Sequence, residues 1–308
     1  MNIRLNMCNL YFRDKVKERG WERVDLFHKT SSLLITLWEK KEKILNILVG
    51  KYNYLRQVEL VLTTGCSLRC KECANLMQYY KKPYMVAKEQ IETSINNLQQ
   101  CVDEINKVVL VGGEPFLYKD ISEIISYVAK FQKVNYIDIF TNGTIVPSEN
   151  NIYALQNNKV KIIVSDYGEI SRRKYELKDF CEKNNIRYYL KNDDLYWGYV
   201  GDMNSRKRTK KQLSRQFRNC HNYCRSILNG KLFYCPRAAH GDDLGYVNAG
   251  NGEYVDLTKD NTNTKQVLKL VYSNHFFLAC DYCNYGTKEM IAITPGIQVQ
   301  SGEKEDYS

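Results

Sequence analysis

From residue 58 to residue 190 the chain alternates short strand-like runs with helix-like ones, and this rhythm restricts the fold more than any other feature. The strand-like runs cover 58–64, 108–111, 136–140, 160–164 and 186–190. Between them the pattern predicts helices near 74–80, 87–104, 120–131, 150–157 and 171–183. Five such repeats give an α/β fold, a parallel sheet with right-handed crossovers curled into a partial barrel. Every loop that follows a strand then opens on one rim, where α/β barrels build their sites.

Those loops hold the unusual residues. The first reads Cys66-Ser-Leu-Arg-Cys70-Lys-Glu-Cys73, directly after a strand closed by Gly65. Three thiolates from one loop can hold three irons of a four-iron cluster and leave the fourth iron open to a small molecule. A closed zinc site is the alternative, but it asks for four ligands and usually two Cys-x2-Cys pairs. The next loops carry Gly112-Gly113-Glu114-Pro115, then Asn142-Gly143, then Ser165-Asp166. All of them share the rim with the thiols.

At 308 residues and 44% hydrophobic, the chain has room for one large domain and an appendage. Eleven cysteines would suit a secreted disulfide framework, yet the opening residues lack a signal-peptide pattern. The expected location is therefore a reducing cytoplasm, with thiols serving metal. No apolar run approaches the roughly 20 residues that cross a bilayer, so no membrane partner is expected. The net charge of +10 favours anionic partners. Much of it lies in Arg206-Lys207-Arg208-Thr209-Lys210-Lys211, with Arg215 and Arg218 following, which reads as either a phosphate-binding patch or solvated surface. Residues 1–55 read as a covering segment, with a short helix over 9–19 and an ambiguous helix or strand pair over 32–49.

A second cysteine group follows residue 205: Cys220, Cys224, Cys235, Cys280 and Cys283. Asn229-Gly230 between two apolar runs predicts a two-residue hairpin that pairs Leu228 with Lys231 and Ser226 with Phe233, and brings Cys224 towards Cys235. Five thiols are thus available for a four-thiolate site, which zinc would satisfy as well as iron and sulfide. The expected units are 56–205 and 206–308. Cys8, Cys101 and Cys181 read as core residues on helices. His221, His240 and His275 read as structural, while Arg237, His240, Asp242 and Asp243 are candidates to line a cavity between the two thiol groups.

Over residues 58–190 the chain resembles the radical S-adenosylmethionine (radical SAM) enzymes, through Cys66, Cys70 and Cys73, Gly112-Gly113-Glu114-Pro115, Thr141-Asn142-Gly143 and Ser165-Asp166. The resemblance implies a partial (β/α)6 barrel of that family's type. It also implies a [4Fe-4S] cluster whose open iron chelates S-adenosylmethionine, with an electron donor that triggers cleavage to a 5′-deoxyadenosyl radical. Gly112, Gly113 and Glu114 would receive the methionine ammonium, and Asn142, Ser165 and Asp166 the ribose or carboxylate. The family usually carries an aromatic residue where this chain has Glu72, which puts the adenine contact in doubt.

Cys220, nine residues, Gly230, four residues and Cys235 resemble the start of the SPASM and twitch extensions, which carry auxiliary iron–sulfur clusters. The count of thiols implies one auxiliary [4Fe-4S] cluster on Cys220, Cys235, Cys280 and Cys283. Cys224 remains a rival ligand or a hydrogen donor to substrate. The implied activity is hydrogen abstraction from a small polar or sugar-derived substrate, ending in oxidation, dehydration or epimerisation. Modification of a ribosomal peptide is the nearest alternative, and a zinc-binding nucleic-acid interaction protein is the alternative outside enzymes.

Overall fold

The computed structural model describes residues 44–191, 196–250, 252–260 and 262–300. The expected elements before residue 44, with Cys8, lie outside the described residues.

One eight-stranded sheet organises the molecule, in the order β5-β4-β3-β2-β1-β7-β8-β9. Strands β1 (Tyr54–Thr63), β2 (Glu104–Gly112), β3 (Val134–Thr141), β4 (Val160–Ser165) and β5 (Tyr188–Lys191) follow the expected alternation and pair in parallel. Helices α1 (Lys88–Cys101), α2 (Ile121–Ala129), α3 (Ile152–Leu155) and α4 (Lys174–Lys183) are the crossovers. The spacing in α1 shows why it packs: Ile91, Ile95 and Leu98 recur on one face and are buried against the sheet's apolar core. Leu110, Ile139 and Ile162 supply the central strands' share of that core, all fully buried, with Cys101 and Cys181 in the same cluster. Replacing Leu110 with alanine is expected to cost about 2–5 kcal/mol, read as a lowered denaturant midpoint of the metal-free protein.

The chain differs from a simple βα succession after β5. Here β6 (Trp197–Gly198) pairs only with β10 (Ala292–Ile293), as a separate antiparallel ribbon. The sixth parallel strand is β7 (Cys224–Leu228), on the far side of β1, with Gln57 opposite Cys224 and Glu59 opposite Ser226. Four of its five residues are buried, as suits a strand inside a sheet. The predicted hairpin then forms between β7 and β8 (Lys231–Phe233), with Leu228 opposite Lys231 and Ser226 opposite Phe233. Asn229 (φ 48°) and Gly230 (φ 74°) both take the left-handed backbone that the turn requires. Strand β9 (Tyr254–Asp256) closes the order. The hairpin extends the sheet that carries the first thiol loop. Helices α5 (Lys210–Asn219), α6 (Pro236–Asp243) and α7 (Thr264–Val271) surround it.

Candidate active site

The first thiol loop is held by backbone contact with the loop after β2. Gly113 N–H donates to Thr63 O (3.0 Å) and Glu114 N–H to Gly65 O (2.9 Å). A methyl group on Gly113 would lie 2.1 Å from Gly65 O and 2.6 Å from Cys66 Cβ, and one on Gly112 would lie 2.2 Å from Thr63 O. The two glycines permit a close approach of backbones.

Two thiols of the loop meet N–H donors. Leu68 N–H (3.4 Å) and Asn142 Nδ2 (3.6 Å) reach Cys66 Sγ, and Gln298 Nε2 (3.2 Å) reaches Cys70 Sγ. At the third thiol the chain wraps back on itself, with Leu76 N–H donating to Cys73 O (3.0 Å). That wrapping explains why the helix expected near 74–80 shrinks to one turn over Met77–Tyr79, with Leu76 at φ 59°. Burial pushes the Cys66 thiol up to about 12 and Cys70 up to about 11, so in the metal-free chain they stay protonated at neutral pH. Metal binding must displace those protons.

An all-sulfur set with converging N–H donors fits an iron–sulfur group. Among the described residues, no three Cys, His, Asp or Glu side chains gather tightly enough to hold a single metal ion. Tetrahedral zinc would need its sulfurs at about 2.3 Å from one centre.

Cys66, Cys70 and Cys73 line a cavity of about 670 Å³, together with Gly112, Gly113, Asn142 and Ser165. Two other expected residues turn away from it. Glu114 is fully buried, and its carboxylate accepts from Thr141 Oγ1 (2.8 and 2.9 Å), Asn142 N–H (2.9 Å) and Phe116 N–H (3.2 Å). Burial raises it to about 7, and its position makes it a brace between the loops after β2 and β3. Asp166 is engaged by Lys174 Nζ (2.5 Å) and Gly168 N–H (2.8 Å). Neither is on the cavity wall, whereas Gly112, Gly113, Asn142 and Ser165 are. Glu72, at the position where the family has an aromatic residue, is on the wall. Burial raises its carboxyl, against the pull of Arg237.

The same cavity is lined by Cys220, Cys224, Cys235, Cys280 and Cys283. Four of them form an electrostatic group: Cys280, Cys283 and Cys220 all raise Cys235, which burial already lifts. Cys235 stands at the N-cap position of α6, where its carbonyl accepts from Ala239 N–H (3.2 Å), while Tyr285 N–H reaches Cys283 Sγ (3.3 Å). Cys224 belongs to a different neighbourhood. Gln57 Nε2 donates to its sulfur (3.1 Å), and Glu59 on β1 is the charge that acts on it. Burial pushes Glu59, also on the wall, up to about 7.

The basic run is partly structural. Arg208 is turned inward to Cys283 O (2.8 Å), Cys280 O (3.4 Å) and Glu289 (2.6 Å), and Gln216 Nε2 holds the same two carbonyls (2.9 and 2.7 Å). Arg237 and His221 reach the cavity wall. His240 is fully buried against Tyr80 and kept neutral by burial, at about 3; Asp242 pairs with Lys231, Asp243 takes Tyr84, and His275 is exposed. Sequence reasoning missed Gln57, Glu59 and Gln298. The first two left a signal, polar residues two apart in an apolar strand and hence on one face.

Residues 60–187 match the family model of the Radical SAM superfamily. The GTP 3',8-cyclase of Clostridium acetobutylicum is 38% identical over 98 residues, which are 31% of this chain and 29% of that protein. The Aquifex aeolicus enzyme of the same name is 32% identical over 95 residues, 30% and 29% of the two chains. The chain thus spans under a third of the length of these curated relatives. Among solved structures, BtrN in complex with AdoMet and 2-DOIA is similar with a TM-score of 0.47 and 15% identity, covering 79% of this chain and 100% of that one. SuiB of Streptococcus suis bound to S-adenosylmethionine is similar with a TM-score of 0.36 and 14% identity, over 51% and 36%.

Proposed function

We propose that this chain is a radical SAM enzyme acting on a small polar or sugar-derived substrate held between two iron–sulfur clusters. The observation that carries the reading is the single cavity onto which both thiol groups open. Cys66, Cys70 and Cys73 would hold the [4Fe-4S] cluster with the open iron, and Cys220, Cys235, Cys280 and Cys283 the auxiliary one of a twitch- or SPASM-like extension. When bound, the first cluster supplies the electron, received from an external reducing donor, that cleaves S-adenosylmethionine to a 5′-deoxyadenosyl radical.

The chain's own residues do the rest. Gly112 and Gly113, on the cavity wall, would offer backbone carbonyls to an ammonium group. Asn142 and Ser165 present polar groups from the loops after β3 and β4. Glu59, Gln57 and Cys224 line the cavity wall on β1 and β7, and Cys224 would return a hydrogen atom to substrate. An anionic carrier such as a nucleotide diphosphate suits the basic balance, and the matched relatives are themselves named for acting on GTP. The ten described cysteines are all free thiols, in keeping with a reducing cytoplasm. Among the described residues no helix is long and apolar enough to cross a membrane.

Anaerobic reconstitution with iron and sulfide tests the reading. The expected result is about eight irons per chain and release of 5′-deoxyadenosine after reduction. Cys235→Ala is expected to halve the iron and spare the nucleoside. Bound zinc with no nucleoside, and salt-sensitive binding to nucleic acid, would replace the enzyme by the zinc protein. Activity confined to a precursor peptide would move the substrate class to peptide maturation.

A further inference from the structure

Residues 297–299 lie antiparallel along 69–71, over the first thiol loop. Lys71 N–H donates to Ile297 O and Val299 N–H to Arg69 O, both at 2.8 Å, around the bridge between Cys70 and Gln298. The Gln298 side chain folds back onto the same loop. Its Oε1 accepts from Arg69 N–H (2.7 Å), which fixes the amide's orientation. Its Nε2 then meets Cys70 Sγ (3.2 Å) and Gly296 O (2.6 Å). Cys70 is 7% exposed, so the N–H to sulfur bond is shielded from water.

We propose that Gln298 is a positioning residue for the cluster on Cys66, Cys70 and Cys73, and that its amide sets the ease with which that cluster takes its electron. The proposal rests on the reading that these thiolates hold a four-iron cluster. Adding an electron adds negative charge, part of which resides on the cysteine sulfurs. A donor N–H on one sulfur stabilises the reduced form and raises the potential. The strap's backbone bonds alone would hold the loop, so the amide's separate bond to sulfur is what a purely mechanical role leaves unexplained.

Gln298→Glu keeps the oxygen that Arg69 N–H binds, removes the donor and adds a negative charge. Gln298→Ala removes the donor together with the oxygen that Arg69 N–H binds, and adds no charge. Wild-type protein and both variants, full-length and reconstituted, are titrated against potential while following the EPR signal that S-adenosylmethionine perturbs. In Gln298→Glu the ratio of reduced to oxidised cluster at fixed poise should fall about tenfold, equivalent to about 59 mV for one electron. Gln298→Ala should shift in the same direction, with iron content unchanged in both. Unaltered midpoints in both variants would overturn the proposal, and so would loss of iron from both, which would make the strap a clamp. Failure of the wild-type protein to form a cluster would instead refute the reading beneath it.

Discussion

Gly113→Ala is expected to dismantle the first thiol site while the sheet survives. The added methyl would meet Gly65 O at 2.1 Å, Gly65 C at 2.5 Å and Cys66 Cβ at 2.6 Å. Two of these are backbone atoms, and no rotamer change relieves them. Relief requires the end of β2 and the thiol loop to part, carrying Cys66 away from Cys70 and Cys73. Forced packing of this kind costs about 1–3 kcal/mol, which a domain of this size can survive. A displacement of about 1 Å at a reacting centre, however, costs about 100-fold in rate. The variant should melt as one cooperative unit, bind less iron and release 5′-deoxyadenosine about 100-fold more slowly. Full iron content with an unchanged rate would show that the close approach of the two loops is dispensable.

Alanine at Cys66, Cys70 or Cys73 should be more severe still. Each removes one of three sulfurs, and no described histidine, aspartate or glutamate completes a set of three around a metal there. Iron should fall to about four per chain, the complement of the distal thiols, and nucleoside release should fall below detection. Cys224→Ala is the control, since its sulfur meets Gln57 Nε2 (3.1 Å) and Arg225 O (3.5 Å) rather than the first loop. It should retain iron and nucleoside release. One first-loop variant with normal nucleoside release would end the assignment.

Much of this was legible locally. Strands β1 to β5 and their crossovers follow from the alternation of apolar runs, and the β7–β8 register follows from Asn229-Gly230 alone, because a tight turn dictates which residues face each other. What sequence could not supply was long-range. Nothing in Cys224–Leu228 says that it will join β1, and nothing in Gln298 announces a thiol 228 positions away. Glu114 shows the same limit: its motif suggested a ligand contact, and only the fold reveals that Thr141 and Asn142 occupy its carboxylate. Arg208 sits in a charge run that composition assigns to water or phosphate, yet its partners are carbonyls beside Cys280 and Cys283.

The parallel ladder between β1 and β7 also bears on how the molecule assembles. It joins Gln57 to Cys224, 167 positions apart, so closing it carries a loop-entropy cost that the neighbouring βα repeats do not share. The repeats can nucleate early on local contacts, while the strand bearing the second thiol group docks late. During that interval the apolar edge of β1 is open to intermolecular pairing, and a nascent chain held in that state is the form most prone to aggregate.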